Sequence, residues 1–112
     1  MLANRLFGLA HRLITHSIVI AELVPLCESR HFSRQRTLDF LNELVTDPTI
    51  EVVWVDAALT KQAIDFLRSR SDKRWSLCDA LSFLIMKSDG ISEALTTDHH
   101  FEQAGFVKLL ES

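Results

Sequence analysis

The sequence predicts an α/β fold with a mostly parallel sheet, and two observations carry this prediction. First, segments in which apolar residues recur at helical spacing alternate along the chain with short β-branched segments, the order that produces parallel sheets. Second, residues 50–55 (IEVVWV) are almost continuously apolar, as expected for a strand that is covered on both faces. At 112 residues the chain has room for one domain, which we assign to residues 1–112.

The predicted elements begin and end at recognisable signals. Asp56 and Ser76 are helix caps, and Pro48 ends the helix before it, because the residue preceding proline is disfavoured in helical geometry. A helix is also predicted to begin near Ser17, and its candidate caps are Thr15, His16 and Ser17. In chain order, the predictions are a helix at 3–12, a strand at 13–15, helices at 17–29 and 32–46, a strand at 50–55, helices at 57–70 and 76–90, a strand at 93–97, a helical turn at 99–104 and a strand at 106–109. The inner face of the helix at 32–46 is predicted to consist of Leu38, Leu41, Leu44 and Val45.

Composition excludes several classes of protein. The content of apolar residues, 47%, is ordinary for a globular chain, so disorder is not expected. The apolar runs are too short to cross a membrane, and residues 1–10 lack the core of a secretory signal. We therefore expect a cytoplasmic protein in which Cys27 and Cys78 are reduced thiols. The net charge of −3 argues against binding nucleic acid by bulk electrostatics, although bound metal ions would reverse the charge of clustered acids.

Glu22 lies in an apolar segment of the sequence and needs an explanation. A charged carboxylate in apolar surroundings costs several kcal/mol unless it is paired, which is about the stability of a marginal domain. One interpretation places Glu22 on a thin polar stripe, with Arg30 or a residue near the start of the chain as its partner. The other makes it a metal-ligating acid that faces a crevice.

Asp79 and Asp98 also have structural and functional interpretations. Ser76 and Asp79 have the spacing of a capping box, and an acid in the first turn complements the helix dipole. Asp98 is either the cap of the turn that begins at His99 or an acid at the carboxyl end of a strand, the edge where α/β sheets bind ligands. Because both acids are expected at one such edge, we predict that they face one crevice.

Other polar residues carry weaker signals. His99 and His100 are zinc-ligand candidates, but no second pair stands at ligand spacing. Thr96 and Thr97 are either ordinary strand residues or groups that orient a ligating acid or a water. Two basic clusters, around residues 30–36 and 68–74, are solvated helix ends or phosphate contacts; the candidates for RNA contact are Arg30, Arg34, Lys73 and Arg74.

The second half of the chain resembles the carboxyl-terminal half of a PIN domain, the fold of VapC-like toxin ribonucleases. This resemblance lies in the ordered segments WSLCDALSF at 75–83, GISEALTTDHHF at 90–101 and QAGF at 103–106. In the first half of the chain, SIVIAEL at 17–23 is similar to the family's second acidic motif. The resemblance implies a three-layer α/β/α fold. It also implies that Glu22, Asp79 and Asp98 are catalytic acids that bind Mg²⁺ or Mn²⁺, with Thr96 and Thr97 supporting them.

The resemblance implies a metal-dependent endoribonuclease that hydrolyses RNA phosphodiesters and is the toxin of a toxin–antitoxin pair. Cleavage of a phosphodiester adds negative charge to the phosphoryl oxygens, and divalent cations held by carboxylates stabilise that charge. The expected partners are RNA, an antitoxin that covers the acidic crevice, and a second copy in a homodimer; no membrane is expected.

The resemblance starts at the family's first helix. The family opens with a central strand that ends in an Asp, and no such segment precedes Ala3, so we expect a PIN domain shortened by a misplaced start or a degraded gene. A strand with about five large aliphatic residues would contribute on the order of 10 kcal/mol, as much as a domain's whole stability. The alternative function is therefore a weak or inactive remnant that only binds a partner. A third is an unrelated α/β interaction module in which all three acids are structural.

Overall fold

Strands and helices alternate along the chain in a computed structural model that describes residues 13–94, 96 and 98–108. The elements are β1 (Leu13–His16), α1 (Ser17–Ser29), α2 (Arg34–Thr46), β2 (Ile50–Val53), α3 (Ala57–Ser69), α4 (Leu77–Ser88), β3 (Glu93–Ala94), α5 (His100–Gln103) and β4 (Val107–Lys108). The helix predicted at 3–12 lies outside the described residues. No helix within the described ranges has the length and apolar character that a membrane crossing requires.

The described residues fall into two compact units, residues 13–55 and 56–108. In the first, β1 and β2 pair in parallel, with Leu13 opposite Ile50 and His16 opposite Val53. In the second, β3 and β4 pair in parallel, with Glu93 opposite Val107. The predicted α/β class and its parallel strand pairing are therefore confirmed.

Two polar contacts hold the start of α1 in the first unit. His16 is buried and caps the helix, because its Nδ1 accepts a hydrogen bond from the Val19 N–H at 3.4 Å. The hydroxyl of Ser17 accepts a hydrogen bond from the Val55 N–H at 3.0 Å, which ties the end of the β2 segment to α1. Among the three predicted caps, His16 holds the position.

The inner face of α2 differs from the prediction. Leu38 and Val45, which were expected to point inward, are exposed, whereas Thr37 is buried and Leu41 and Leu44 are half-buried. Residues at positions 37, 41 and 44 form a single stripe on a helix, and this stripe rather than the adjacent one faces the unit. The Thr37 hydroxyl donates to the Ser33 carbonyl at 3.0 Å, so its burial leaves the hydroxyl satisfied.

The core of the second unit lies between α3, α4 and the segment after β3. Ala63 of α3 is fully buried, as are Ala80 and Leu81 of α4. An aromatic cluster extends this core: Phe66 stacks on Trp75 at 5.7 Å between ring centroids, and Phe83 meets Trp75 edge-on at 5.0 Å. Phe83 also contacts Phe101 at 4.9 Å and Phe106 at 5.6 Å. Since Phe101 lies in α5, the cluster fixes α5 against α4.

Candidate metal centre

Asp79 occupies the third position of α4 and forms the predicted capping box. Its backbone N–H donates to the Ser76 hydroxyl at 3.0 Å, and its Oδ2 accepts from the Ser76 N–H at 3.0 Å. Glu or Gln is usual at this position, and the shorter Asp makes both contacts here. The carboxylate is therefore fixed at the positive end of the helix, where a negative charge is stabilised.

Asp98 begins the turn between β3 and α5. Its N–H donates to the hydroxyl of Thr96 at 3.0 Å, and its Oδ1 accepts from the His100 N–H at 2.8 Å. The predicted structural role of Asp98, as a cap of this turn, is thus present. The half-buried carboxylate remains partly accessible to solvent.

The imidazole of His100 brings the two acids together. Its Nδ1 lies 3.1 Å from Asp79 Oδ2 and 3.5 Å from Asp98 Oδ1. One ligand atom from each of the three residues lies within 4.8 Å of the others. Asp79 and His100 are 21 positions apart in the sequence, so their contact depends on the packing of α5 against α4.

This donor set fits a divalent cation. Carboxylate oxygens are the ligands that Mg²⁺ and Mn²⁺ prefer, and imidazole nitrogen is a common ligand for transition ions. All three side chains are half-buried, so they are shielded enough to stay ordered and open enough to receive an ion. Among the described residues of this unit, Asp79, Asp98 and His100 form a group that could hold a metal.

Glu22 lies in the other unit, on an exposed face of α1 that it shares with Ala21. The Glu22 side chain therefore does not have the apolar surroundings that its sequence neighbours suggested, because the larger of those neighbours are the half-buried ones. The desolvation cost that made Glu22 stand out does not arise. Its role as a metal ligand stays a prediction.

The supporting and basic residues are placed as follows. Thr96 contacts the backbone of Asp98 as described above, whereas Thr97 lies outside the described residues. Arg34 forms an ion pair with Glu28, which satisfies part of its charge. The other three candidates for RNA contact are exposed or half-buried: Arg30, Lys73 and Arg74. Contact between any of them and RNA stays a prediction.

His100 is the residue that sequence reasoning did not assign to the acidic site. It was considered as half of a zinc-binding pair, but His99 does not share its environment. The His99 side chain is 70% exposed and its Nδ1 lies 4.0 Å from Asp98 Oδ1, whereas the His100 side chain is 27% exposed. The available signal was the position of His100, two residues after an acid that begins a short helix.

Comparison with known proteins defines the class of this protein. The model of the PIN domain family matches residues 2–107, so the chain belongs to the PIN domain family. The predicted family is therefore confirmed.

Particular relatives make the relationship more specific. Two curated proteins, each named 23S rRNA-specific endonuclease VapC20, come from the CDC 1551/Oshkosh and ATCC 25618/H37Rv strains of Mycobacterium tuberculosis. Each is 37% identical to this chain over 60 residues, which are 54% of this chain and 46% of the relative. The match thus spans about half the length of these curated relatives.

The fold agrees with a solved structure of the same relative. The crystal structure of Mycobacterium tuberculosis VapC20, described as a Sarcin-Ricin loop cleaving toxin, is similar to this chain with a TM-score of 0.82 and 29% identity. The similarity covers 96% of this chain and 82% of VapC20. It confirms the predicted PIN fold and the predicted relationship to VapC-like proteins.

Proposed function

We propose that this chain is a metal-dependent endoribonuclease that hydrolyses RNA phosphodiesters and serves as the toxin of a toxin–antitoxin pair. The observation that carries the proposal is the meeting of Asp79, in the first turn of α4, and Asp98, in the turn that follows β3, around His100. The similarity to VapC20, which is named as an endonuclease of 23S rRNA, supports RNA as the substrate. Ribosomal RNA is therefore the first substrate to test. Because ribosomes lie in the cytoplasm, we expect the chain to act there.

The acids of the site would bind the divalent cation that this reaction needs. Asp79 and Asp98 would hold Mg²⁺ or Mn²⁺, with Glu22 as a third acid. Such a cation stabilises charge on the phosphoryl oxygens and lowers the pKa of the attacking water. The capping box keeps the Asp79 carboxylate in place before substrate arrives, so little rearrangement is needed at the moment of reaction.

Basic side chains would supply the affinity for RNA. The net charge of −3 means that attraction to phosphate has to be local rather than global. We assign this task to Arg30, Arg34, Lys73 and Arg74. Their contacts would be independent of base identity, so they would position the RNA without selecting its sequence.

The proposal is tested by RNA cleavage with the whole chain in Mg²⁺ or Mn²⁺ and in EDTA. We expect cleavage that EDTA abolishes. In the Asp79→Asn variant we expect the rate of RNA cleavage to fall by about 100-fold or more, because several kcal/mol of charge stabilisation in the transition state depend on the metal.

The matched control is Asp65→Asn, the same chemical change on an exposed residue of α3 that pairs with Lys61. Exposed pairs of this kind contribute about 0.3–0.5 kcal/mol, so cleavage should remain. Cleavage that persists in EDTA, or that both variants retain equally, would contradict the proposal.

A second candidate function rests on the apolar surface of the first unit. Large apolar side chains are exposed along α1, α2 and the loop between them, namely Leu26, Phe32, Leu38, Phe40 and Val45. Exposed apolar patches mark binding sites for proteins, which fits an antitoxin or a second copy of the chain. A folded chain that binds a protein partner and cleaves no RNA would favour the remnant that acts only by binding.

A further inference from the structure

The imidazole of His100 faces the acidic site, and four contacts fix its position: two are made by His100 itself and two by residues that follow it in α5. Its backbone N–H donates to Asp98 Oδ1 at 2.8 Å, which sets the start of α5. The next residue, Phe101, packs edge-on against Phe83 at 4.9 Å between ring centroids. One turn later, Gln103 accepts a hydrogen bond from Trp75 Nε1 at 3.2 Å. Finally, the His100 Nδ1 lies 3.1 Å from Asp79 Oδ2.

The distances from the His100 Nδ1 to the two carboxylate oxygens suit atoms that share the inner ligand shell of one cation. With metal–ligand distances of about 2.1 Å, neighbouring ligands of an octahedral ion lie about 3 Å apart. The His100 Nδ1 stands at 3.1 Å and 3.5 Å from the two carboxylate oxygens. These are distances at which the nitrogen and the two oxygens can share one cation, and the shorter of them is also that of a hydrogen bond between His100 and Asp79.

We propose that His100 Nδ1 is a ligand of the cation held by Asp79 and Asp98, and that this nitrogen makes the site select a transition ion such as Mn²⁺ or Co²⁺ over Mg²⁺. The inference rests on the proposed function and adds the class of metal. A site built of oxygens alone suits Mg²⁺, whereas imidazole favours first-row transition ions, with affinity rising from Mn²⁺ to Co²⁺.

His99 provides an internal control. It has the same chemistry, stands next to His100 and also lies near Asp98, with its Nδ1 at 4.0 Å from Asp98 Oδ1. It differs in facing solvent, because its side chain is 70% exposed. A nonspecific effect of removing an imidazole from this segment would therefore appear in both His99→Asn and His100→Asn. The loss of a metal ligand would weaken metal binding in His100→Asn alone.

The first experiment measures binding of Mg²⁺, Mn²⁺ and Co²⁺ to the whole chain by calorimetry. Loss of groups that merely orient ligands already lowers metal affinity about 10–100-fold. We therefore expect His100→Asn to bind Mn²⁺ and Co²⁺ at least about tenfold more weakly and to bind Mg²⁺ with a smaller change. His99→Asn should match the wild type, and Asp98→Asn should weaken all three ions.

The second experiment observes the ligand directly. Pulsed electron paramagnetic resonance of bound Mn²⁺ should show hyperfine coupling to nitrogen in the wild type and in His99→Asn. Labelling histidine with the heavy nitrogen isotope should shift this coupling. It should be absent from His100→Asn, whose folding is checked by its far-ultraviolet circular dichroism and its thermal transition.

The outcomes separate this inference from the proposed function. Mn²⁺ that binds with no nitrogen coupling, in a chain that still cleaves RNA, would overturn the role of His100 and leave the nuclease intact. If His100→Asn lowered the affinity for Mg²⁺ and for Co²⁺ equally, the proposal that His100 selects transition ions would be overturned. A wild-type chain that binds none of the three ions would overturn both.

Discussion

The hydroxyl of Thr96 stabilises the turn that carries Asp98, because it accepts a hydrogen bond from the Asp98 N–H at 3.0 Å. Thr96→Val keeps the shape of the side chain and removes the acceptor. A part-buried N–H without its partner costs about 1–3 kcal/mol, so the free energy of unfolding should fall by that amount. Cation affinity should fall as well, because the Asp98 carboxylate would be less firmly placed.

Urea denaturation and calorimetric titration with Mn²⁺ measure the two effects. Thr96→Ser is the control, since it keeps the hydroxyl and should retain most of the stability and most of the affinity for Mn²⁺. If valine and serine behaved alike at this position, the hydrogen bond would have no part in holding Asp98.

At the scale of the element, the capping box of α4 links helix stability to the position of a ligating acid. Ser76→Ala removes the acceptor of the Asp79 N–H, and loss of a serine cap costs about 1 kcal/mol. The Ser76 N–H remains and still donates to the Asp79 carboxylate. We therefore expect a measurable loss of stability in urea and a much smaller loss of cleavage than in Asp79→Asn.

Ser33→Ala is the matched control in the first unit. Ser33 caps α2 through a longer contact, because its hydroxyl accepts from the Arg36 N–H at 3.4 Å. Ser33→Ala should therefore lower the free energy of unfolding by less than Ser76→Ala does, and it should leave metal affinity unchanged. A loss of cleavage after Ser76→Ala as large as that after Asp79→Asn would show that the serine does more than cap the helix.

The aromatic cluster between α4 and α5 supplies a second prediction at this scale. Phe83 is 2% exposed and contacts three aromatic rings, so Phe83→Ala should lower the free energy of unfolding by about 3–5 kcal/mol. Because typical domains are stable by only about 5–15 kcal/mol, Phe83→Leu is the more tractable variant, with a smaller loss.

Phe40, which is 50% exposed on α2, is the comparison. Phe40→Ala leaves little cavity and should cost under about 1 kcal/mol. Thermal and urea denaturation of the variants test both values. Equal losses at the two positions would contradict the assignment of Phe83 to the core.

At the scale of the whole molecule, metal binding should stabilise the folded chain. An ion present at about 100 times its dissociation constant adds about 2.7 kcal/mol, provided that the unfolded chain does not bind it. We expect Mn²⁺ to raise the thermal midpoint of the wild type and EDTA to reverse the shift. The double variant Asp79→Asn, Asp98→Asn should show no shift, and differential scanning fluorimetry would detect one if the ion bound elsewhere.

Much of the local structure follows from short-range chemistry, which is why the sequence predicted it. Asp56 accepts a hydrogen bond from the Leu59 N–H at 2.8 Å, as expected of a cap, and Ser76 with Asp79 forms the expected box. A cap satisfies backbone groups within three residues of itself, so no distant contact is needed to foresee it. The order of helices and strands predicted a mostly parallel sheet, and β1 and β2 do pair in parallel.

Reading along the chain was enough to predict the α/β class, the caps, the PIN family and two candidate acids, Asp79 in the first turn of α4 and Asp98 in the turn after β3. Tertiary structure decided the rest: that His100 joins those acids, that Glu22 is exposed on α1, and that Thr37 rather than Leu38 faces inward on α2. The physical reason is common to all three. The environment of a side chain depends on residues distant in sequence, whereas a cap or a strand signal depends on neighbours along the chain.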